Sequence, residues 1–115
     1  MAVRIGINGF GAFLGRNDAS TENYAAHLEY ALELVGEDHV GIGLDYVYDQ
    51  RELEQFIAGD PETFPPAHYP RNVNMVEPWR LPAIASFLID RGHSTDVLGK
   101  LLGGNFERIA RQVWR

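Results

Sequence analysis

The chain has 115 residues, and its 45% hydrophobic, 11% aromatic and 23% charged residues are typical of one globular domain with a buried core. Its 16 acidic residues outnumber 10 basic ones, and a net charge of −6 argues against a nucleic-acid partner, which clustered Lys and Arg would bind. The absence of cysteine excludes disulfides, a thiolate nucleophile and a cysteine-based zinc site. No stretch predicts a membrane-spanning segment, so a cytoplasmic location is the default expectation, although any export signal would lie upstream.

Residues 1 to 45 predict a strand, a helix and a second strand. Residues 3 to 10, VRIGINGF, alternate in the way of a strand, and residues 39 to 47, HVGIGLDYV, repeat that pattern. Between them we expect a helix that begins after Ser20 and ends at Gly36. The apolar residues at helical spacing in that segment are Tyr24, Leu28, Leu32 and Val35. Because a helical connection normally joins parallel strands, the sequence predicts an α/β fold with a right-handed crossover.

Residues 46 to 80 form a long, proline-rich excursion in which we expect one short helix, at residues 51 to 59. Connections this long are commonly lids or binding loops, and a surface segment packed on the domain is the alternative. Trp79 lies at the end of this excursion and Trp114 near the end of the chain. We expect both tryptophans to be core or interface anchors.

Residues 81 to 115 predict the closing helices of the chain. The first has Pro82 in its first turn and an apolar stripe that includes Leu81, Ile84 and Leu88, and it should end at Gly92. Two shorter helices are expected after a cap at Ser94, separated by the glycine pair at 103 and 104.

Two motifs that suggest ligand binding have the wrong spacing. Gly9, Gly11 and Gly15 give GxGxxxG, whereas a dinucleotide fingerprint is GxGxxG with a helix that starts at once, so a nucleotide-binding βαβ unit is the weakest alternative. The histidines lack the HxH and HxxxH spacing of a local metal pair. We expect solvated or locally hydrogen-bonded roles for them; they are His27, His39, His68 and His93.

Asp45 and Asn8 come directly after the two predicted strands. Because ligands of parallel α/β sheets bind beyond the carboxyl ends of the strands, these two polar side chains are expected to face one crevice. Asp45 is therefore a candidate functional residue from its position alone. Asn8 is a candidate for substrate binding, and the alternative is that it only caps the turn that follows.

Two segments together resemble a known family. EDHVGIGLDY, followed after the excursion by LPAIASFLIDRGHSTDVLGKLLGGNFERI, is similar to the C-terminal portion of the membrane (renal-type) dipeptidases, which are zinc metallopeptidases. The resemblance covers residues 1 to 115 as a single segment. It implies the C-terminal part of a (β/α)8 TIM-type barrel, with the last two parallel strands and the closing helices that wrap the outside.

For the site, the resemblance implies that Asp45 is the active-site aspartate, acting as an acid/base or orienting the substrate's amino group. Glycines beside it would keep the strand narrow against the barrel interior, or would allow a helix to pack closely on the strand. Family members often carry a second acidic residue two places later, where this chain has Val47.

The resemblance also implies zinc-dependent hydrolysis of a dipeptide or a related small amide. Two zinc ions serve the complete enzyme, and their ligands are expected upstream of Met1, with none in this chain. The chain alone is therefore expected to be inactive, and to associate with a complementing N-terminal chain or with copies of itself. A non-catalytic association module derived from the family is the alternative function.

Overall fold

The computed structural model describes residues 4–114, and within this range short strands alternate with helices. The strands are β1 (Ile5–Ile7) and β2 (Val40–Ile42). The helices are α1 (Gly11–Leu14), α2 (Thr21–Val35), α3 (Gln50–Ala58), α4 (Leu81–Asp90), α5 (Thr95–Gly99) and α6 (Asn105–Val113). A 3₁₀ turn at Pro78–Arg80 leads into α4, and a π-helical turn at Lys100–Gly104 joins α5 to α6.

The two strands pair in parallel, as the sequence predicts, with Ile5 opposite Val40 and Ile7 opposite Ile42. Both strands are shorter than predicted. At Gly9 the backbone also pairs with the excursion, where the N–H of Val76 donates to Gly9 O at 2.9 Å. Val3, predicted to begin the first strand, lies outside the described residues.

Helix α2 has the predicted ends. The Ser20 hydroxyl accepts a hydrogen bond from Asn23 N at 3.1 Å, and Gly36 ends the helix with φ 87°, a conformation that glycine adopts without a steric penalty. Tyr24 and Leu28 of the predicted stripe are fully buried. The Tyr24 hydroxyl donates to Ile7 O at 2.8 Å, and burial raises the pKa of Tyr24.

The main core lies between α2, α4 and one face of the sheet. Val40 is fully buried in it, and Ile84 and Leu88 of α4 are both 1% exposed, which confirms the predicted stripe on that helix. Ile42 and Leu44 pack against the same cluster from β2 and the residues after it. Helices thus cover one face of the strand pair, as expected for an α/β unit.

The excursion is packed on the domain and has a small core of its own. Phe10, Ile57, Val73 and Met75 form this second cluster, and Met75 pairs with Phe10 in an antiparallel bridge. Helix α3 is the short helix predicted for this segment, and Asp49 caps it by accepting from Glu52 N at 2.9 Å. The excursion is therefore packed on the domain, and its role as a binding segment stays a prediction.

The closing helices break at the glycine pair, as predicted. Ser94 caps α5, accepting from Val97 N at 3.2 Å. Gly103 has non-helical dihedral angles and forms a kink between α5 and α6. The core alternative is wrong for both tryptophans, since Trp79 is 65% exposed and Trp114 is 78% exposed. Their role as interface anchors stays a prediction.

Candidate functional site

Asn8 and Asp45 meet at the carboxyl ends of the paired strands. Backbone pairing extends one step past β1 and β2, where Gly9 N donates to Leu44 O at 3.1 Å. The chain then turns at Asp45, which has φ 55°, a left-handed conformation that Asp and Asn tolerate better than most residues. The predicted neighbourhood of the two side chains is therefore present in the structure.

Asn8 holds both the turn after β1 and the Asp45 side chain. Its Oδ1 accepts from Phe10 N at 2.6 Å, which is the capping role considered as an alternative. Its Nδ2 donates to Asp45 Oδ2 at 3.4 Å, a long contact between exposed groups. The amide thus restricts the carboxylate while leaving its remaining lone pairs open to solvent or to a ligand.

A cavity of about 200 Å³ opens beside Asp45. Its walls come from the turn after β1, from the residues after β2 and from the excursion. They are Phe10, Phe13, Asp45, Val47, Leu53, Phe56, Ile57, Phe64 and Tyr69. Val47 is one of the apolar walls. Asp45 thus stands at the edge of a site that is otherwise apolar.

Five aromatic rings follow one another around this cavity. Phe10 lies 4.9 Å from Phe13, measured between ring centroids, and Phe13 lies 6.2 Å from Tyr69. The row continues from Tyr69 to Phe64 at 5.1 Å and from Phe64 to Phe56 at 5.6 Å. Tilted and edge-on pairs at these separations are favourable, so the rings support one another.

The glycine-rich turn after β1 is used for close packing. Gly11 N donates to Asn74 O at 2.7 Å, and a Cβ at Gly11 would lie 2.7 Å from that same oxygen. A phosphate-binding loop needs free backbone N–H groups, and this one is engaged by the excursion. The geometry gives the nucleotide-binding alternative no support.

The absence of a side chain at Gly41 in β2 allows α6 to pack closely against the strand. The Phe106 ring of α6 lies against Gly41 where a Cβ would stand, and the Arg4 guanidinium lies 3.9 Å from the centroid of the same ring. Of the two explanations for the glycines, close packing of a helix is the one seen at Gly41. Gly43 is open, with only Gly6 in ordinary contact.

Two of the histidines have structural partners that the fold explains. The His27 ring bonds Leu14 O at 2.9 Å, and the His93 ring bonds Glu29 at 2.9 Å. Within residues 4–114, no three His, Asp or Glu side chains lie together in a group that could hold a metal ion. The described residues therefore do not fit a zinc site by themselves.

Sequence reasoning missed the aromatic cavity and the residue that anchors α6. The rings come from two separate segments, the turn after β1 and the excursion, and only the fold of the excursion brings them together. Asn105 is fully buried and donates to Glu37 O at 2.7 Å and Val40 O at 2.8 Å. Its side chain does not cap α6 and its partners are distant in the chain, so no local sequence signal marked it.

Comparison with known proteins decides the family. The model of the membrane dipeptidases, peptidase family M19, matches residues 3–115. The chain belongs to this family. It is therefore a member of a family of dipeptidase-type hydrolases, which are generally zinc-dependent.

The chain is also similar to an uncharacterized protein in the pqqA 5′ region of Klebsiella pneumoniae, with 29% identity over 116 residues. The match covers 96% of this chain and 35% of the relative, so the chain spans about a third of that protein's length. No solved structure matches the chain. Among residues 4–114, no helix is long and apolar enough to cross a membrane.

Proposed function

We propose that this chain forms the C-terminal part of a (β/α)8 dipeptidase and that Asp45 is the carboxylate that contacts the dipeptide. Membership of the M19 family supports the reaction class. The observation that carries the residue assignment is the position of Asp45, at the carboxyl end of β2, within reach of Asn8 and on the wall of a cavity. Active sites of parallel barrels lie at that end of the strands.

Asp45 can serve a dipeptide in two ways. Its carboxylate can hold the substrate's ammonium by charge and hydrogen bonds, which fixes the peptide bond relative to the site. It can also exchange a proton with the attacking water or the departing amine, as general acid–base residues do. Asn8 restricts Asp45 in either role, so we propose it as a positioning residue in place of the direct substrate contact expected from sequence.

Zinc, when bound, would supply the activated water and polarise the peptide carbonyl. Since residues 4–114 hold no cluster of metal ligands, we propose that the ligands come from outside the described residues.

A chimera tests this proposal. Residues 3–115 of this chain would replace the matched segment of the Klebsiella relative, and hydrolysis of a dipeptide panel would be measured with and without zinc. We expect zinc-dependent hydrolysis from the chimera and none from the isolated chain. Zinc-dependent hydrolysis by the isolated chain would contradict the proposal, because it would require metal ligands within this chain.

Exposed apolar side chains on α6 favour an association module as the second candidate. Val113 is 63% exposed and Trp114 78% exposed, and with Phe106 and Ile109 they line a groove of about 470 Å³. A second copy of the chain would cover these side chains. Native mass spectrometry of the purified chain with zinc supplied separates the candidates: a stable, metal-free oligomer without activity in the chimera favours association, and activity in the chimera favours the dipeptidase.

A further inference from the structure

We propose that the cavity beside Asp45 binds the N-terminal residue of a dipeptide and selects a large apolar side chain, aromatic or branched aliphatic. This inference rests on the proposed function, since it takes Asp45 as the carboxylate that faces the substrate. It goes further in naming the side chain that the site accepts and the residues that select it.

The exposure of the cavity walls indicates a place for a ligand. Phe13 is 58% exposed and Phe56 66% exposed, and both stand at the mouth of the cavity, whereas Phe10 and Ile57 are buried behind them. Exposed aromatic rings grouped around a concave apolar surface are typical of binding sites and unusual elsewhere on a soluble surface. The volume of about 200 Å³ exceeds the roughly 150 Å³ that accommodates benzene in an apolar cavity.

The charge at the cavity selects the chemical class of the ligand. Among the described residues that line it, Asp45 is the one carboxylate, and no Lys, Arg or His accompanies it. A negative group beside an apolar wall attracts an ammonium and repels a carboxylate. Aromatic rings in the same cavity wall can add cation–π attraction for an ammonium. The free carboxylate of a dipeptide would therefore point away from this cavity.

The two parts of the ligand can be separated with small probes. L-phenylalaninamide has both the ammonium and the ring, glycinamide has only the ammonium, and 3-phenylpropanamide has only the ring. Each would be titrated into the ¹⁵N-labelled chain at about pH 6.5, where an α-ammonium is protonated, and followed by amide chemical shifts. We expect L-phenylalaninamide to bind about tenfold more tightly than either other probe, with shifts at the cavity residues.

Variants assign the two contributions to residues. Asp45→Asn keeps a residue that tolerates the left-handed turn, and it should raise the Kd of L-phenylalaninamide to that of 3-phenylpropanamide. Phe56→Ala removes an exposed ring. It should raise the Kd of L-phenylalaninamide several-fold and leave the Kd of glycinamide unchanged. The controls are Asp49→Asn, since asparagine also caps a helix, and Tyr30→Ala, which removes an exposed ring from α2. Neither control should change any Kd.

Equal affinity for the three probes would overturn the inference, and so would shifts confined to another surface, such as the groove on α6. Saturable binding of 3-phenylpropanamide alone would also overturn it, because it would identify the cavity as an apolar contact for polypeptide. Failure of the proposed function is a different result. A chimera without hydrolysis, in which the probes still rank as expected, would leave the amine site standing, whereas a hydrolytic chimera that cleaves Gly-Gly as well as Phe-Gly would remove it.

Discussion

The side-chain amide of Asn8 lies 3.4 Å from a carboxylate oxygen of Asp45, although 37 residues separate them in the chain. The contact joins the ends of the two parallel strands across the turn that begins the candidate site. The same asparagine caps the turn after β1 through Phe10 N. One side chain therefore links the local geometry of the turn to the position of the carboxylate.

We expect Asn8→Ala to lower the free energy of unfolding by about 1–2 kcal/mol, because the part-buried N–H of Phe10 loses its acceptor. Urea denaturation of the chain measures this effect. In the active chimera, the same variant should reduce kcat by more than the decrease in the folded fraction explains, because the Asp45 side chain loses the hydrogen bond that restrains it. Asn72→Ala, which alters an exposed asparagine, is the control. Unchanged stability and kcat in Asn8→Ala would contradict this role.

Gly41→Ala should destabilise the chain by about 1–3 kcal/mol, since the new methyl group would overlap the Phe106 ring. Gly43→Ala, directly after the same strand, is the matched control, because its Cβ would meet nothing closer than 3.6 Å, and we expect a change within about 0.5 kcal/mol. Urea denaturation compares the two variants.

The double variant Gly41→Ala/Phe106→Ala checks the cause of that difference. If overlap with the ring is responsible, the substitution at Gly41 should have little further effect once Phe106 is alanine. Additive effects of the two substitutions would show that the ring is not what excludes a side chain there.

Asn105→Ala should lower the free energy of unfolding by about 2–3 kcal/mol, because it leaves the carbonyls of Glu37 and Val40 without their buried donor. Gln112→Ala, at an exposed position on the same helix, should be nearly neutral. Equal values for the two variants in urea denaturation would indicate that water replaces the amide without loss.

Glu29 predicts a pH-dependent contribution to stability. Arg91 Nε lies 2.9 Å from one carboxylate oxygen and the His93 ring nitrogen 2.9 Å from the other, and these hydrogen bonds hold the pKa of Glu29 below its ordinary value of 4.5. Because the folded-state pKa is depressed, the stabilisation is present above the unfolded-state value and is lost as the pH falls through the folded-state value.

Glu29→Gln should therefore lower the free energy of unfolding by about 0.5–1 kcal/mol at neutral pH, a size that reflects the partial exposure of the pair. The difference from the unmodified chain should disappear in acid, below the pKa of Glu29. Glu33→Gln is the control, because it removes an exposed carboxylate from the same helix and shows the effect of the charge change alone. A difference that does not change with pH would show that the charge of Glu29 is not responsible.

Local sequence signals predicted the elements whose ends are set by nearby residues. Ser20 and Gly36 act on the backbone within a few positions of themselves, so the bounds of α2 could be read from the sequence. Helix α1 was missed because it lies in a glycine-rich turn. Its first residue, Gly11, is held by a hydrogen bond to Asn74, which is distant in the chain.

The candidate site was predictable only where it follows the strands. Asn8 and Asp45 come together because parallel strands end at one edge, and that rule needs no knowledge of side-chain packing. The cavity depends on the excursion. Its sequence, with several prolines and one short helix, has no hydrophobic periodicity from which its fold could be predicted. The exposure of Trp79 was unpredictable for a related reason, since helical context does not tell which face is covered.

The most direct test of the account is the value of kcat/KM for dipeptide hydrolysis by the chimera, with Asp45→Asn compared against Asp49→Asn. Asp49 is exposed and lies four residues from Asp45, and asparagine can replace it as a helix cap. Asp49→Asn therefore removes one nearby negative charge, as Asp45→Asn does, while the fold is kept. We expect Asp45→Asn to lower kcat/KM by about 100-fold or more, as loss of an acid–base or substrate-orienting group does, and Asp49→Asn to leave it unchanged. Equal activity in the two variants would contradict the assignment of Asp45 to the active site.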